Sequence, residues 1–224
     1  NEDKIKIMKY DFDKQVNRRG TGSLKWDVPE NELPMWVADM DFETVPQVKE
    51  ALAARVAQGI YGYSILPDEW SKSYVDWWKK RHGLDLDPEK LIFVTGIVPA
   101  ISSAVRKLTT PAENVLVQTP TYNIFFNSIH NNGRNIVENK LLYDGERYRV
   151  DWGKLEEQLS DPQTTLMILC NPHNPIGKIW DKETLAHIGE LCAKHHVLVL
   201  SDEIHCDLCD PGQEYVPFAS ASEI

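Results

Sequence analysis

Beyond position 88 the chain alternates short runs of β-branched and aliphatic residues with longer segments whose apolar positions recur every three or four residues. This alternation predicts parallel strands joined by crossover helices, because parallel neighbours need a connection long enough to cross the sheet. Strands are expected at 91–95, 115–118, 135–138, 165–170 and 197–201. Helices are expected between them at about 99–108, 122–131, 152–159 and 182–195. The run Val197-Leu198-Val199-Leu200 is apolar throughout, as a strand covered on both faces should be. The fold class is therefore α/β, with a parallel sheet between helical layers.

The region ahead of position 88 is patterned differently. Residues 1–42 carry the turn-prone Arg19-Gly20-Thr21-Gly22-Ser23 and an apolar run, Met35-Trp36-Val37-Ala38, broken by Asp39 and Asp41. They read as an extended arm. Two helices follow, at 46–58 before Gly59 and at 68–82 before Gly83. Trp70, Tyr74, Trp77 and Trp78 fall on one stripe of the second, a packing pattern. The expected division is an arm with the start of a small domain over 1–45, and a large domain over 46–224.

Charge narrows the choice of partners. The 24 basic and 34 acidic residues leave a net charge of −10, which repels a phosphate backbone, so nucleic acid is not expected as a partner. No stretch approaches the roughly 18 uninterrupted apolar residues of a membrane span, and the polar start Asn1 to Lys6 lacks a signal-peptide core. A cytoplasmic chain with no membrane partner is expected. Four cysteines, Cys170, Cys192, Cys206 and Cys209, are too few for a disulfide scaffold and are expected to be reduced.

In open α/β sheets ligands bind beyond the carboxyl ends of the strands. After the first predicted strand comes Thr95-Gly96-Ile97-Val98-Pro99, a glycine turn into a helix with Pro99 suited to the first helical position. Free amides there form an anion site. The second strand ends in Thr119-Pro120-Thr121-Tyr122, placing an aromatic ring at the mouth of the crevice. The fourth ends in Asn171-Pro172-His173-Asn174-Pro175-Ile176-Gly177-Lys178, an irregular turn that leaves Asn174 as a neutral donor or acceptor, with His173 expected in solvent. The fifth ends in Ser201-Asp202-Glu203-Ile204-His205, where a carboxylate following buried apolar residues demands a cation. A DExH-type ATPase would need a GxxxxGK[ST] loop, and none occurs. Zinc at Cys206-x-x-Cys209 would call for a second ligand pair that Cys170 and Cys192 do not supply, so no metal is expected. Asp39 and Asp41, one residue apart in an extended segment, read as separate solvated charges.

Gly96-Ile97-Val98, Pro120-Thr121-Tyr122, Asn171-Pro172-His173-Asn174-Pro175-x-Gly177 and Ser201-Asp202-Glu203-Ile204-His205, in this order at successive strand ends, resemble the fold-type I pyridoxal-phosphate enzymes of the class I/II aminotransferase superfamily. Trp36-Val37-Ala38-Asp39-Met40-Asp41-Phe42 and Tyr61-Gly62-Tyr63-Ser64 look like its cystathionine β-lyase, or carbon-sulfur lyase, branch, which also contains a maltose-regulon modulator. The resemblance implies pyridoxal 5'-phosphate as cofactor. The amides of Gly96, Ile97 and Val98 would hold its phosphate and Tyr122 would stack on its ring. Asn174 would bond the phenolic oxygen, Asp202 the protonated ring nitrogen, and His205 would support the ring from behind. Tyr63 would reach the phosphate of a second subunit in a homodimer, and Asp39 and Tyr63 would face the substrate. The implied reaction is α,β-elimination on L-cystathionine or a cysteine S-conjugate, giving pyruvate, ammonia and a thiol. Transamination, or a regulatory protein without turnover, are the alternatives.

The family's Schiff-base lysine follows a serine by three positions, and none of the sixteen lysines does so. Lys178 is a turn lysine and reads as solvated. The catalytic residue is thus not assigned, and the 224 residues are expected to belong to a longer polypeptide with an incomplete large domain. The strand at 91–95 would then lack its neighbour.

Overall fold

The structure, a computed structural model, describes residues 10–222. It divides into two compact units, Asn1–Ile65 and Leu66–Ile224.

Over its described residues the first unit is irregular apart from helix α1 (Pro46–Ala57), which opens on Pro46 where a missing amide costs nothing. Its order comes from Asp41. One carboxylate oxygen accepts from Arg18 Nη1 at 2.8 Å and Trp26 Nε1 at 2.7 Å, and the other from Lys25 Nζ at 2.7 Å. These donors, the Lys25 ammonium foremost, hold Asp41 far below the usual carboxylate range. Arg18 also pairs through Nη2 with Asp39 at 2.6 Å. The two aspartates are therefore not separate solvated charges; a bend lets both grip one guanidinium.

In the second unit α2 (Asp68–His82) carries acids in its first turn and bases in its last, matching the helix dipole, and stops at Gly83 in the left-handed region (φ 66°). There follow α3 (Ile97–Leu108), β1 (Asn114–Thr119), α4 (Asn123–His130), β2 (Asn135–Lys140), β3 (Leu142–Tyr143), β4 (Tyr148–Arg149), α5 (Trp152–Leu159), β5 (Thr164–Cys170), α6 (Lys182–Lys194) and β6 (Leu198–Asp202). Four strands make one parallel sheet in the order β2-β1-β5-β6.

Side chains of successive strand residues leave the sheet on opposite faces, and the core divides accordingly. Val115 and Val117 of β1 and Leu166 and Ile168 of β5 pack with Ile101 and Val105 of α3 and Phe125 and Ile129 of α4. Leu116, Met167 and Leu169 pack instead with Leu155 and Leu159 of α5 and Leu185, Ile188 and Leu191 of α6. Helices on both faces give the expected three layers. Asp151 and Asp181 cap α5 and α6 by accepting from Lys154 N (3.0 Å) and Thr184 N (2.7 Å). Buried Arg134 answers the open end of α3, donating to the carbonyls of Thr109 (2.5 Å) and Arg106 (3.2 Å) and to Thr109 Oγ1 (2.8 Å).

Several expectations need correction. Residues 91–95 form no ladder, and Ile92 is 83% exposed, because no described strand offers them a row of partners. Helix α3 begins at Ile97, so Pro99 is third rather than first in the helix. The aromatic stripe of α2 is not buried: Trp70 stacks on Tyr74, while Tyr74 and Trp77 stay exposed. The β3–β4 hairpin was not anticipated; Asp144-Gly145, with Gly145 at φ 103°, makes its turn, and Tyr143 stacks on Tyr148 across it.

Leu166 is wholly buried on β5, an inner strand of the sheet. Leu166→Ala is expected to destabilise the second unit by about 2–5 kcal/mol in urea unfolding. Leu198→Ala, at a half-exposed position, should cost no more than about 0.5 kcal/mol.

Candidate functional site at the carboxyl edge of the sheet

The sheet's carboxyl edge is where buried strands turn back to polar chain. At the end of β6 Asp202 is only 8% exposed. Its side chain accepts one hydrogen bond, from Ile204 N at 3.2 Å, and among the described residues no basic side chain forms an ion pair with it, His205 acting on it only from beyond ion-pair distance. Burial pushes its carboxyl above the usual aspartate range. Such a group is costly unless a cation or further donors arrive.

The end of β5 is tied to its neighbours through backbone and side chains. Asn171 N donates to Asp202 O at 2.9 Å, and the fully buried Asn171 side chain donates to Val216 O at 3.0 Å. Glu203 Oε1 gathers Ser201 Oγ (3.0 Å) and Phe218 N (2.8 Å), fastening the returning chain to the strand end. Trp180 Nε1 donates to Cys170 O at 3.1 Å, and Cys170 Sγ accepts from Asn174 N at 3.4 Å. Burial pushes the Cys170 thiol up to about 11, which removes it as a nucleophile at neutral pH.

His173 is not a solvated turn residue. It is 1% exposed, its Nε2 lies 2.9 Å from Pro120 O, and its ring packs edge-on against Trp180 at 5.7 Å. A carbonyl partner requires an N–H at Nε2, and burial lowers its pKa, so the ring is neutral. It locks the turn after β5 to the turn after β1. The signal available in sequence was its position between two Asn-Pro steps directly after a buried strand. Lys178 is likewise not simply solvated: its ammonium lies 5.1 Å from the Trp180 ring centroid.

The remaining predicted residues distribute as follows. Gly96 precedes α3, whose N-terminus has no side-chain cap, and Ile97 and Val98 supply amides while Pro99 cannot. Ile97 and Asp202 line one crevice of about 420 Å³. Asn174 and His205 line a second cavity of about 560 Å³, and the Asn174 amide side chain makes no hydrogen bond among the described residues. Tyr122 stands before α4, 37% exposed, its ring edge-on to Phe125 at 5.9 Å. Asp39 and Tyr63 belong to the first unit, Asp39 paired with Arg18 and Tyr63 fully exposed.

The edge thus offers uncapped helix amides, a free amide side chain, an accessible aromatic ring and a buried acid lacking a cation. Residues 31–223 match the family model for aminotransferases of class I and II. The chain belongs to that family. Among its relatives, the cystathionine beta-lyase PatB of Bacillus subtilis (strain 168) is 47% identical over 95% of this chain and 56% of its own length. The protein MalY of Escherichia coli (strain K12) is 33% identical over 95% of this chain and 56% of its own. The crystal structure of cystalysin from Treponema denticola, which contains pyridoxal 5'-phosphate, superposes with a TM-score of 0.90 at 37% identity, covering 96% of this chain and 57% of that one. The chain therefore spans little more than half the length of these class I and II relatives. No helix of the described residues is long and apolar enough to cross a membrane.

Removing the charge of Asp202 should stabilise the chain in the absence of any ligand. Asp202→Asn keeps the acceptor for Ile204 N and is expected to gain about 1–3 kcal/mol at pH 7. The sign follows from the raised pKa. The folded state holds its proton more tightly than the unfolded state, so wild-type stability is lost as pH rises from the ordinary aspartate range through the folded pKa. The gap between variant and wild type should open with pH and close in acid. Urea unfolding across a pH series checks this, and a wild type more stable than Asp202→Asn at pH 7 would show that the carboxylate already has its cation.

Proposed function

We propose that the protein to which this chain belongs is a pyridoxal-phosphate-dependent carbon-sulfur β-lyase, cleaving L-cystathionine or a related cysteine S-conjugate to pyruvate, ammonia and a thiol. The observation that carries the reading is Asp202, a buried carboxylate awaiting a cation at a strand end. The residues fit the cofactor at both of its charged ends. Asp202 would pair with the protonated ring nitrogen, and the uncapped start of α3, where Gly96, Ile97 and Val98 present amides, would hold the phosphate. Asn174, with its side chain free, would donate to the phenolic oxygen, and Tyr122 would cover the ring. His205 would back the ring from the cavity it shares with Asn174.

Bound there, the cofactor supplies an electron sink for negative charge developing at the substrate Cα. The part of this chain is to hold and polarise. Asp202 keeps the ring nitrogen charged, His173 fixes the two turns that carry Tyr122 and Asn174, and Glu203 closes the strand end against the segment at 216–218. The lyase reading, rather than amino transfer, is supported by the 47% identity to PatB. A cytoplasmic homodimer fits the four unpaired cysteines and the fully exposed Tyr63, which would serve the phosphate of the second copy, with Asp39 and Tyr63 toward the substrate.

The full-length protein, supplied with pyridoxal phosphate and L-cystathionine, is expected to release pyruvate and thiol in equal amounts. Transfer of the amino group to a 2-oxo acid without thiol release would replace the lyase by an aminotransferase. Asp202→Asn should weaken cofactor retention, followed by its visible absorbance, by roughly 10–100-fold, matching the 1.5–3 kcal/mol of a hydrogen bond to a charged group. Unchanged retention would remove Asp202 from the site.

A further inference from the structure

The run Cys206-x-x-Cys209 has no part in the site above, and the fold gives one of its cysteines unexpected company. His82, at the end of α2, Cys206 and Asp207 each present one ligand atom, and the three atoms lie within 4.8 Å of one another. His82 Nε2 and Asp207 Oδ1 are 3.0 Å apart. We propose that His82, Cys206 and Asp207 form a binding site for a borderline-soft divalent cation, zinc in the first instance.

The donor set is one sulfur, one imidazole nitrogen and one carboxylate oxygen, which suits zinc better than a hard cation such as magnesium. Ligands at about 2.0–2.3 Å around a tetrahedral ion stand roughly 3.3–3.8 Å apart, so the three atoms need only small side-chain rotations. A thiolate and a carboxylate neutralise a dication, as a largely buried place requires: the His82 side chain is 7% exposed and Cys206 is 8% exposed.

The surroundings favour the same use. Trp77 Nε1 donates to Asp207 Oδ2 at 2.9 Å, which orients the carboxylate and leaves Oδ1 toward the cluster, as outer partners of metal ligands do. Arg81 Nε, at 3.6 Å from Oδ1, is half exposed and stacks over the Trp77 ring at 5.2 Å, so it can leave Oδ1 to the ion while keeping an aromatic partner. Cys206, Asp207 and Trp77 line the crevice of about 420 Å³, giving the ion a route in and a water for the fourth position. Cys209 turns away, its Sγ donating to Cys206 O at 3.4 Å. The second ligand comes from 124 positions away, which is why cysteine spacing alone did not suggest it.

The test uses the full chain without pyridoxal phosphate, stripped of metal and titrated with cobalt(II) as a spectroscopic stand-in for zinc. The expected result is one equivalent bound, with a thiolate-to-cobalt charge-transfer band. Cys206→Ser should abolish the band and Cys209→Ser should keep it. His82→Gln and Asp207→Asn should each weaken binding at least tenfold, and Trp77→Phe roughly tenfold. Circular dichroism checks that each variant folds. As a measurement without variants, zinc should protect Cys206 but not Cys209 of the wild type from alkylation mapped by mass spectrometry. Absence of a band, a band lost in Cys209→Ser, a band undiminished in His82→Gln and Asp207→Asn, or equal protection of both thiols would overturn the site. None of these results bears on the cofactor chromophore, so the two readings stand or fall separately.

Discussion

Strands β1 and β5 are buried on both faces, and the rest of the second unit answers to that constraint. With α3 and α4 against one face and α5 and α6 against the other, the middle of each strand, Val115 to Val117 and Leu166 to Cys170, is apolar whichever way the side chains point. Polar chemistry is displaced to where the strands stop. At the carboxyl edge the backbone must turn, its amides and carbonyls must be satisfied, and side chains first meet space a ligand could enter. The buried polar groups there, Asn171, His173 and Asp202, are consequences of the same packing that excludes polarity from the middle of the sheet.

This explains what could be read from sequence. The parallel sheet and its helices were legible because burial on both faces writes continuous apolar runs, and crossover helices write a different period between them. Asp202 was legible as a charge directly after an apolar run, although β6 is not covered on both faces as expected of that run: Leu198 is 51% exposed. Residues 91–95 carry an equally apolar run and yet form no ladder, because pairing depends on a neighbour that local pattern does not report. His173 and Asp39 were misplaced for a related cause. Each is held by a residue distant in the chain, His173 by the Pro120 carbonyl and Asp39 by Arg18, and such partners leave no mark in local spacing.

Asp202 shows how stability and ligand binding oppose one another at this edge. A buried carboxylate with one amide donor and no ion-pair partner among the described residues weakens the empty chain, and an amide side chain there would serve the fold better. The neighbouring network is more fully paired. Glu203 accepts from Ser201 Oγ and Phe218 N, and the Asn171 amide nitrogen donates to Val216 O, which ties the strand ends together, while Asn171 Oδ1 stays without a partner.

Five residues further on, Asp207 is treated in the opposite way. It is partly exposed and already engaged by Trp77, His82 and Arg81, all from α2, a helix that buries none of its own residues. Polar anchoring therefore does for α2 what apolar packing does for α3 to α6. It also fixes the chain after β6 at a second point, since Glu203 holds it to Phe218 on one side and Asp207 holds it to α2 on the other. A segment pinned twice within five residues cannot swing away from the strand end. The backbone amide of Ile204, which among the described residues is the one donor to the Asp202 side chain, lies between those pins, so the position of the buried carboxylate is set by contacts that never touch it.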